Sequence, residues 1–106
     1  MSVVTTHVLD AVTGRPASGV AVRLEGPGMT AEERTDDDGR VRELGPARLD
    51  PGTYRVVFAT GDWFAAQGRD TFYPEVVIAI TVDDPEQHLH VPLLLSPYAY
   101  STYRGS

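Results

Sequence analysis

The chain has 106 residues, with nine basic against fifteen acidic side chains, a formal charge of −6, and neither cysteine nor lysine. An acidic surface lacks the basic stripe that neutralises phosphates, which excludes nucleic acid as a partner. Without cysteine there are no disulfides, thiolate metal ligands or Cys nucleophile, so packing alone must hold the fold. The length suits a single domain over residues 1–106. The opening "MSVVTTHVLD" has neither a basic n-region nor a continuous apolar h-region, and nowhere do 18 apolar residues run together. The expectation is a cytoplasmic protein with no membrane partner.

In "VVTTHVLD", Val4, Thr6 and Val8 face one way and Thr5 and His7 the other, because side chains alternate along a strand. After the turn signal "TGRPASG" at 13 to 19, Val20, Val22 and Leu24 alternate with Ala21, Arg23 and Glu25 as a half-buried strand. "EGPG" at 25 to 28 and "DDDG" at 36 to 39 are further turns, the second read as a solvated hairpin turn. Tyr54, Val56 and Phe58 then alternate with Arg55, Val57 and Ala59. "TGDWFAAQGR" at 60 to 69 breaks the alternation, with Thr60 and Asp62 early, Ala65 and Ala66 in the middle and Gly68 where a helix stops. It predicts a short helix whose Trp63 and Phe64 pack onto a sheet. Val76, Ile78, Ile80 and Val82 form the next alternating strand, ended by "VDDPEQ". Short strands with closely spaced turns predict an antiparallel sandwich.

The closing "HLHVPLLLSPYAYSTYRGS", 88 to 106, holds one charged side chain, Arg104. Leu89, Val91, Leu93 and Leu95 should take the core, leaving His88, His90, Pro92 and Leu94 on the opposite face, which runs on towards Tyr98, Tyr100 and Tyr103. A contiguous apolar and aromatic surface marks an interface, so the tail is expected to pack against another copy of the chain. His7 and His90 are expected on the outer face of a sheet. Spacing alone does not decide whether they meet.

The segments "THVLDAVTGRPASGV", "TDDDGR", "GTYRVVF", "FYPEVVIAI" and the ending with "YRGS" carry a resemblance over nearly the whole chain. The chain resembles the 5-hydroxyisourate hydrolases, the transthyretin-related enzymes of urate and purine breakdown. True transthyretins share the fold and lack the "YRGS" ending, so the resemblance favours the enzyme over the hormone carrier. It implies an all-β, transthyretin-like antiparallel β-sandwich of eight strands with one short helix. It also implies a homotetramer, a dimer of dimers, with active sites in a channel where dimers meet. By resemblance His7, Arg40, His90 and Ser106 fall on catalytic positions, and Tyr103, with His7 and Arg40, on positions that contact substrate. His88 matches a residue beside the site and is assigned no catalytic role. Leu89 departs from the family, which often has Tyr there, and residues 40 to 52, "RVRELGPARLDPG", are only loosely similar to it and are expected to be a variable loop. No metal or cofactor is implied.

These residue types suit the reaction. Hydrolysis of 5-hydroxyisourate to 2-oxo-4-hydroxy-4-carboxy-5-ureidoimidazoline requires water to attack an acyl carbon, and an imidazole with a pKa near 6.5 can serve as the base. Arg40 can stabilise the oxyanion or clamp the planar substrate edge, Ser106 can hold the ring or the water, and Tyr103 can stack on the heterocycle. No G-x-S-x-G elbow is present, which disfavours a serine-hydrolase route. "TDDDGR" lacks the later ligands of a calcium loop. The alternatives are a zinc-dependent hydrolase using His88, His90 and His7, a small-molecule carrier without catalysis, and an interaction module.

Overall fold

The computed structural model describes residues 3–106. Its elements are β1 (Val4–Asp10), β2 (Arg15–Pro16), β3 (Ala21–Gly26), β4 (Met29–Arg34), β5 (Arg40–Leu44), β6 (Gly52–Phe58), α1 (Thr60–Ala65), β7 (Val76–Val82), β8 (Leu89–Ser96) and β9 (Ala99–Thr102). Among the described residues, eight strands thus have four or more residues, and β2 adds a two-residue strand. One sheet runs β2-β1-β8-β9, with β5 also paired to β1, and the other runs β4-β3-β6-β7. The free edge of β1 is shared: β5 pairs along Val4 to His7, and β2 pairs at Leu9 and Asp10.

The expected alternation builds the core. Val4 and Val8 of β1 and Leu93 of β8 are fully buried and meet Val22, Leu24, Val56 and Phe58 from the facing sheet. Each such side chain contributes about 1.5–3 kcal/mol on leaving water. Leu89 is buried as expected, and Pro92, placed on the outer face of β8, is buried as well. The helix forms where expected but is shorter, Thr60–Ala65, with Phe64 fully buried. Gly68, at φ +67°, ends the turn, and the Arg69 N–H donates to the Phe64 carbonyl across it.

Three expectations are corrected. The stretch 40 to 52 is not a loop throughout, because residues 40 to 44 are β5, buried through Val41 and Leu44 against β1. The "DDDG" turn does not join a hairpin: β4 belongs to one sheet and β5 to the other, so the turn carries the chain across the sandwich. The sandwich is also not wholly antiparallel, since β1 and β8 pair in parallel from Val4↔Leu89 to Asp10↔Leu95. After β8 the chain turns back as β9, pairing antiparallel from Leu93↔Thr102 to Ser96↔Ala99 and covering an edge of β8.

One ion pair ties the helical connection to the first sheet. Asp10 is 3% exposed, and its carboxylate accepts hydrogen bonds from Arg69 Nη1 at 2.8 Å and from the N–H groups of Val12 and Thr13. Burial pushes this carboxyl up, but the Arg69 hydrogen bond and the two backbone donors outweigh it, holding Asp10 below its ordinary 3.8. Arg69 also lies over the Phe64 ring, 4.8 Å from its centroid. Arg69→Met is therefore expected to cost about 3 kcal/mol, seen as a lower urea midpoint at unchanged slope. A depressed carboxyl contributes stability present above its unfolded value and lost as pH falls through its folded value. The deficit of the variant should accordingly shrink as pH drops below 3.8.

Candidate active site

The outer face of the first sheet collects the polar residues singled out in the sequence. Alternation in β1 buries Val4, Thr6 and Val8 and leaves Thr5 and His7 half-buried on the other side. His7 is the register partner of Arg40 on β5 and of Pro92 on β8, and Thr5 is the partner of His90. Both histidines therefore stand on one face, with Arg40 beside His7.

The turn before β5 fixes Arg40. Gly39 adopts φ +75°, a conformation that disfavours any side chain, and its carbonyl accepts from the Val8 N–H at 2.7 Å. The Asp36 carboxylate accepts from the Asp38 N–H at 2.9 Å and the Arg40 N–H at 3.0 Å. The Arg40 N–H is the main reason that the Asp36 carboxyl sits below its ordinary value. Next along β5 the register shifts between Val4↔Leu44 and Thr6↔Val41, so Arg42 and Glu43 together oppose the single Thr5. This is a β-bulge, which bends the strand and re-aims side chains.

A cleft of about 400 Å³ opens over these residues, lined by Thr5, Thr6, Arg40, Val41, Arg42, Glu43, His88, His90 and Ser106. Arg40, His90 and Ser106 are thus brought together, and His7 joins them through its register with Arg40. Tyr103 is not in this cleft. It lines a neighbouring cavity of about 310 Å³ with Ile78, Ile80, Leu89, Val91 and Arg104, and His90 is a wall common to both.

His90 is held by several contacts. Its Nδ1 lies 2.8 Å from Thr5 Oγ1, its carbonyl accepts from the Gly105 N–H at 2.9 Å, and Gly105 rests against the ring itself. A Cβ at position 105 would stand 2.5 Å from the imidazole Cδ2. Burial pushes the His90 pKa below its ordinary 6.5, followed by the positive charge of Arg40 and then of His88 and His7, while a hydrogen bond to the Thr5 backbone opposes. The ring is accordingly neutral at neutral pH and able to accept a proton. Gly105→Ala is expected to push the imidazole aside and slow turnover about tenfold with the fold retained, checked by steady-state rates beside circular dichroism.

Thr5 drew no assignment from the sequence, and His88 only a place beside the site and in the zinc alternative, yet both touch this network, since His88 Nε2 is also 2.8 Å from Thr5 Oγ1. The signal available was the outward phase of Thr5 in β1. Among the described residues no group of three or more His, Asp or Glu is arranged to hold a metal ion. No helix among them is long and apolar enough to cross a membrane.

Comparison with known proteins agrees with this architecture. A family model described as the HIUase/Transthyretin family matches residues 4–105. A 5-hydroxyisourate hydrolase of Caulobacter vibrioides is 50% identical, with all of both chains covered. The solved structure of Klebsiella pneumoniae 5-hydroxyisourate hydrolase is 40% identical, with a TM-score of 0.90 over 100% of this chain and 94% of that one. Sea bream transthyretin in complex with thyroxine is 29% identical, with a TM-score of 0.86 over 97% of this chain and 94% of that one. The two-sheet sandwich, its single short helix and these similarities together make the chain a member of the HIUase/transthyretin family.

Proposed function

We propose that the protein hydrolyses 5-hydroxyisourate to 2-oxo-4-hydroxy-4-carboxy-5-ureidoimidazoline. The observation that carries this reading is the His90 imidazole sharing one cleft with Arg40 and Ser106, where burial and the Arg40 charge hold its pKa below the ordinary value. The cleft volume is within the range of small-molecule sites. The 50% identity to a hydrolase of that name over both full chains supports the choice of substrate.

In the proposed mechanism His90 takes a proton from water as the oxygen attacks an acyl carbon of the six-membered ring. The carbonyl π pair moves onto oxygen, and Arg40, charged at any ordinary pH, stabilises the oxyanion. Collapse re-forms the carbonyl and breaks the carbon–nitrogen bond of the ring, and the leaving nitrogen takes the proton back from the imidazolium. No covalent adduct is needed. His7 and Arg40 hold the substrate, Ser106 orients the ring or the water, and Tyr103 contacts the heterocycle from the neighbouring cavity.

The assembly follows from the exposed face. Leu94 is 36%, Tyr98 67% and Tyr103 60% exposed in the single chain, on or beside the sheet that carries the cleft. A homotetramer, a dimer of dimers, would cover this surface and seal each cleft at the dimer–dimer interface. The same reading takes residues 1–106 as a single domain working in the cytoplasm.

A second reading, a small-molecule carrier, is favoured by the likeness to a transthyretin solved with thyroxine. One assay separates the two. 5-Hydroxyisourate, generated freshly by urate oxidase, is followed by its ultraviolet decay with and without the protein. Acceleration that survives a chelator is the expected result. No acceleration would leave the carrier standing, and activity lost to the chelator and restored by zinc would replace the metal-free scheme by the zinc-dependent one.

A further inference from the structure

Thr5 Oγ1 stands 2.8 Å from two imidazole nitrogens at once, His88 Nε2 and His90 Nδ1. A hydroxyl has one proton to give and lone pairs to accept with. It can donate to one ring only, so at least one ring donates an N–H to it. Two arrangements use the hydroxyl proton within the trio. In the first, His90 Nδ1–H donates to Thr5, and Thr5 donates to His88 Nε2. In the second every direction is reversed. Only the first leaves Nε2 of His90 without a proton and therefore basic.

We infer that Thr5 and His88 are positioning residues that set the tautomer of His90, holding its proton on Nδ1 so that Nε2 is the base. This rests on the hydrolase reading for its catalytic consequence, but the tautomer coupling itself rests only on the shared hydroxyl. When His90 takes the proton of water, the Nδ1–H···Oγ1 bond becomes charge-assisted, and the imidazolium is stabilised without any proton passing along the chain. The arrangement performs with a hydroxyl and a second imidazole what a buried carboxylate does in an acid–base triad, namely fixing orientation and tautomer.

The other charged or titratable groups facing this network are His7 on β1, Arg40, Arg42 and Glu43 on β5, and Tyr103 and Arg104 after β9. Arg40 is a fixed positive charge near the two rings, and none of these groups touches Thr5 Oγ1 as His88 and His90 do.

The test measures imidazole nitrogens directly. In ¹⁵N-histidine-labelled full-length protein at neutral pH, long-range ¹H–¹⁵N spectra should show His90 and His88 both protonated on Nδ1. Thr5→Val keeps the shape and removes the hydroxyl. It should turn His90 into a tautomer mixture and lower kcat about 10- to 100-fold with KM within about twofold, as for loss of a hydrogen bond to a charged group. Thr5→Ser should restore both. His88→Ala, at an exposed position, frees the hydroxyl to donate to His90, so the Nε2–H form should grow. A native His90 protonated on Nε2, or a Thr5→Val protein with unchanged tautomer and rate, overturns the inference. If the native spectra show the coupled Nδ1–H pair in a protein that does not speed 5-hydroxyisourate decay, the coupling stands and the hydrolase reading falls.

Discussion

His90→Asn should lower the hydrolysis rate about 100-fold or more while leaving assembly unchanged. Asn retains a polar group near Thr5 but has no nitrogen that accepts a proton at neutral pH. The His90 position is half-buried on a strand whose core residues lie on the opposite face, so the substitution disturbs neither Leu89 nor Val91. Steady-state rates on fresh substrate, with size-exclusion elution compared between native and variant protein, check both halves of the expectation. The native rate should also depend on pH in a defined sense. His90 sits below the ordinary 6.5, first through burial and then through the Arg40 charge, so kcat/KM should hold as pH falls through 6.5 and decline only at the lower value where His90 protonates. Stability shifts the same way: a depressed folded-state value favours the neutral ring, and this contribution is lost as pH falls from 6.5 through the folded-state value. A near-native rate for His90→Asn would transfer the base role to His7, the histidine paired in register with Arg40.

Deleting residues 103 to 106 should abolish acceleration over the uncatalysed decay. The deletion removes Tyr103 from its cavity and Ser106 from the cleft, together with the Gly105 N–H that donates to the His90 carbonyl. It leaves β9, Ala99–Thr102, paired to β8, with Thr102 Oγ1 donating to the Pro92 carbonyl at 2.7 Å. Far-ultraviolet circular dichroism should therefore stay native. Size exclusion distinguishes loss of chemistry with elution unchanged from loss of the proposed assembly that would close the site. Full activity in the truncated chain would sink the roles given to Ser106 and Tyr103.

Much of this arrangement was legible because period-two alternation reports burial directly. It put Leu89, Val91, Leu93 and Leu95 in the core and turned Thr5 and His7 outward, and the structure agrees. β5 was invisible for a physical reason: its bulge separates the buried Val41 and Leu44 by three residues, which matches neither a strand nor a long helix. The "DDDG" turn has the same local chemistry whether it closes a hairpin or crosses the sandwich. What decides is the partner of the next strand, and that partner is β1, far away in sequence. The parallel β1–β8 pair was equally hidden, since side chains alternate identically in both pairing senses. Every residue of β9 is exposed, so it offered no burial pattern to read. Thr5 drew no attention because a threonine acquires this role only when two ring nitrogens meet it, and those belong to residues 83 and 85 positions later.

The parallel pair between β1 and β8 has a consequence for biosynthesis. Thr5 and His90 are 85 residues apart, and at about 5–20 residues per second a ribosome needs roughly 4–17 s to make that interval. During that wait β1 can recruit β5 but has an unpaired edge on its other side, open to the wrong neighbour. Crowded translation of this message should therefore favour aggregation far more than dilute refolding does.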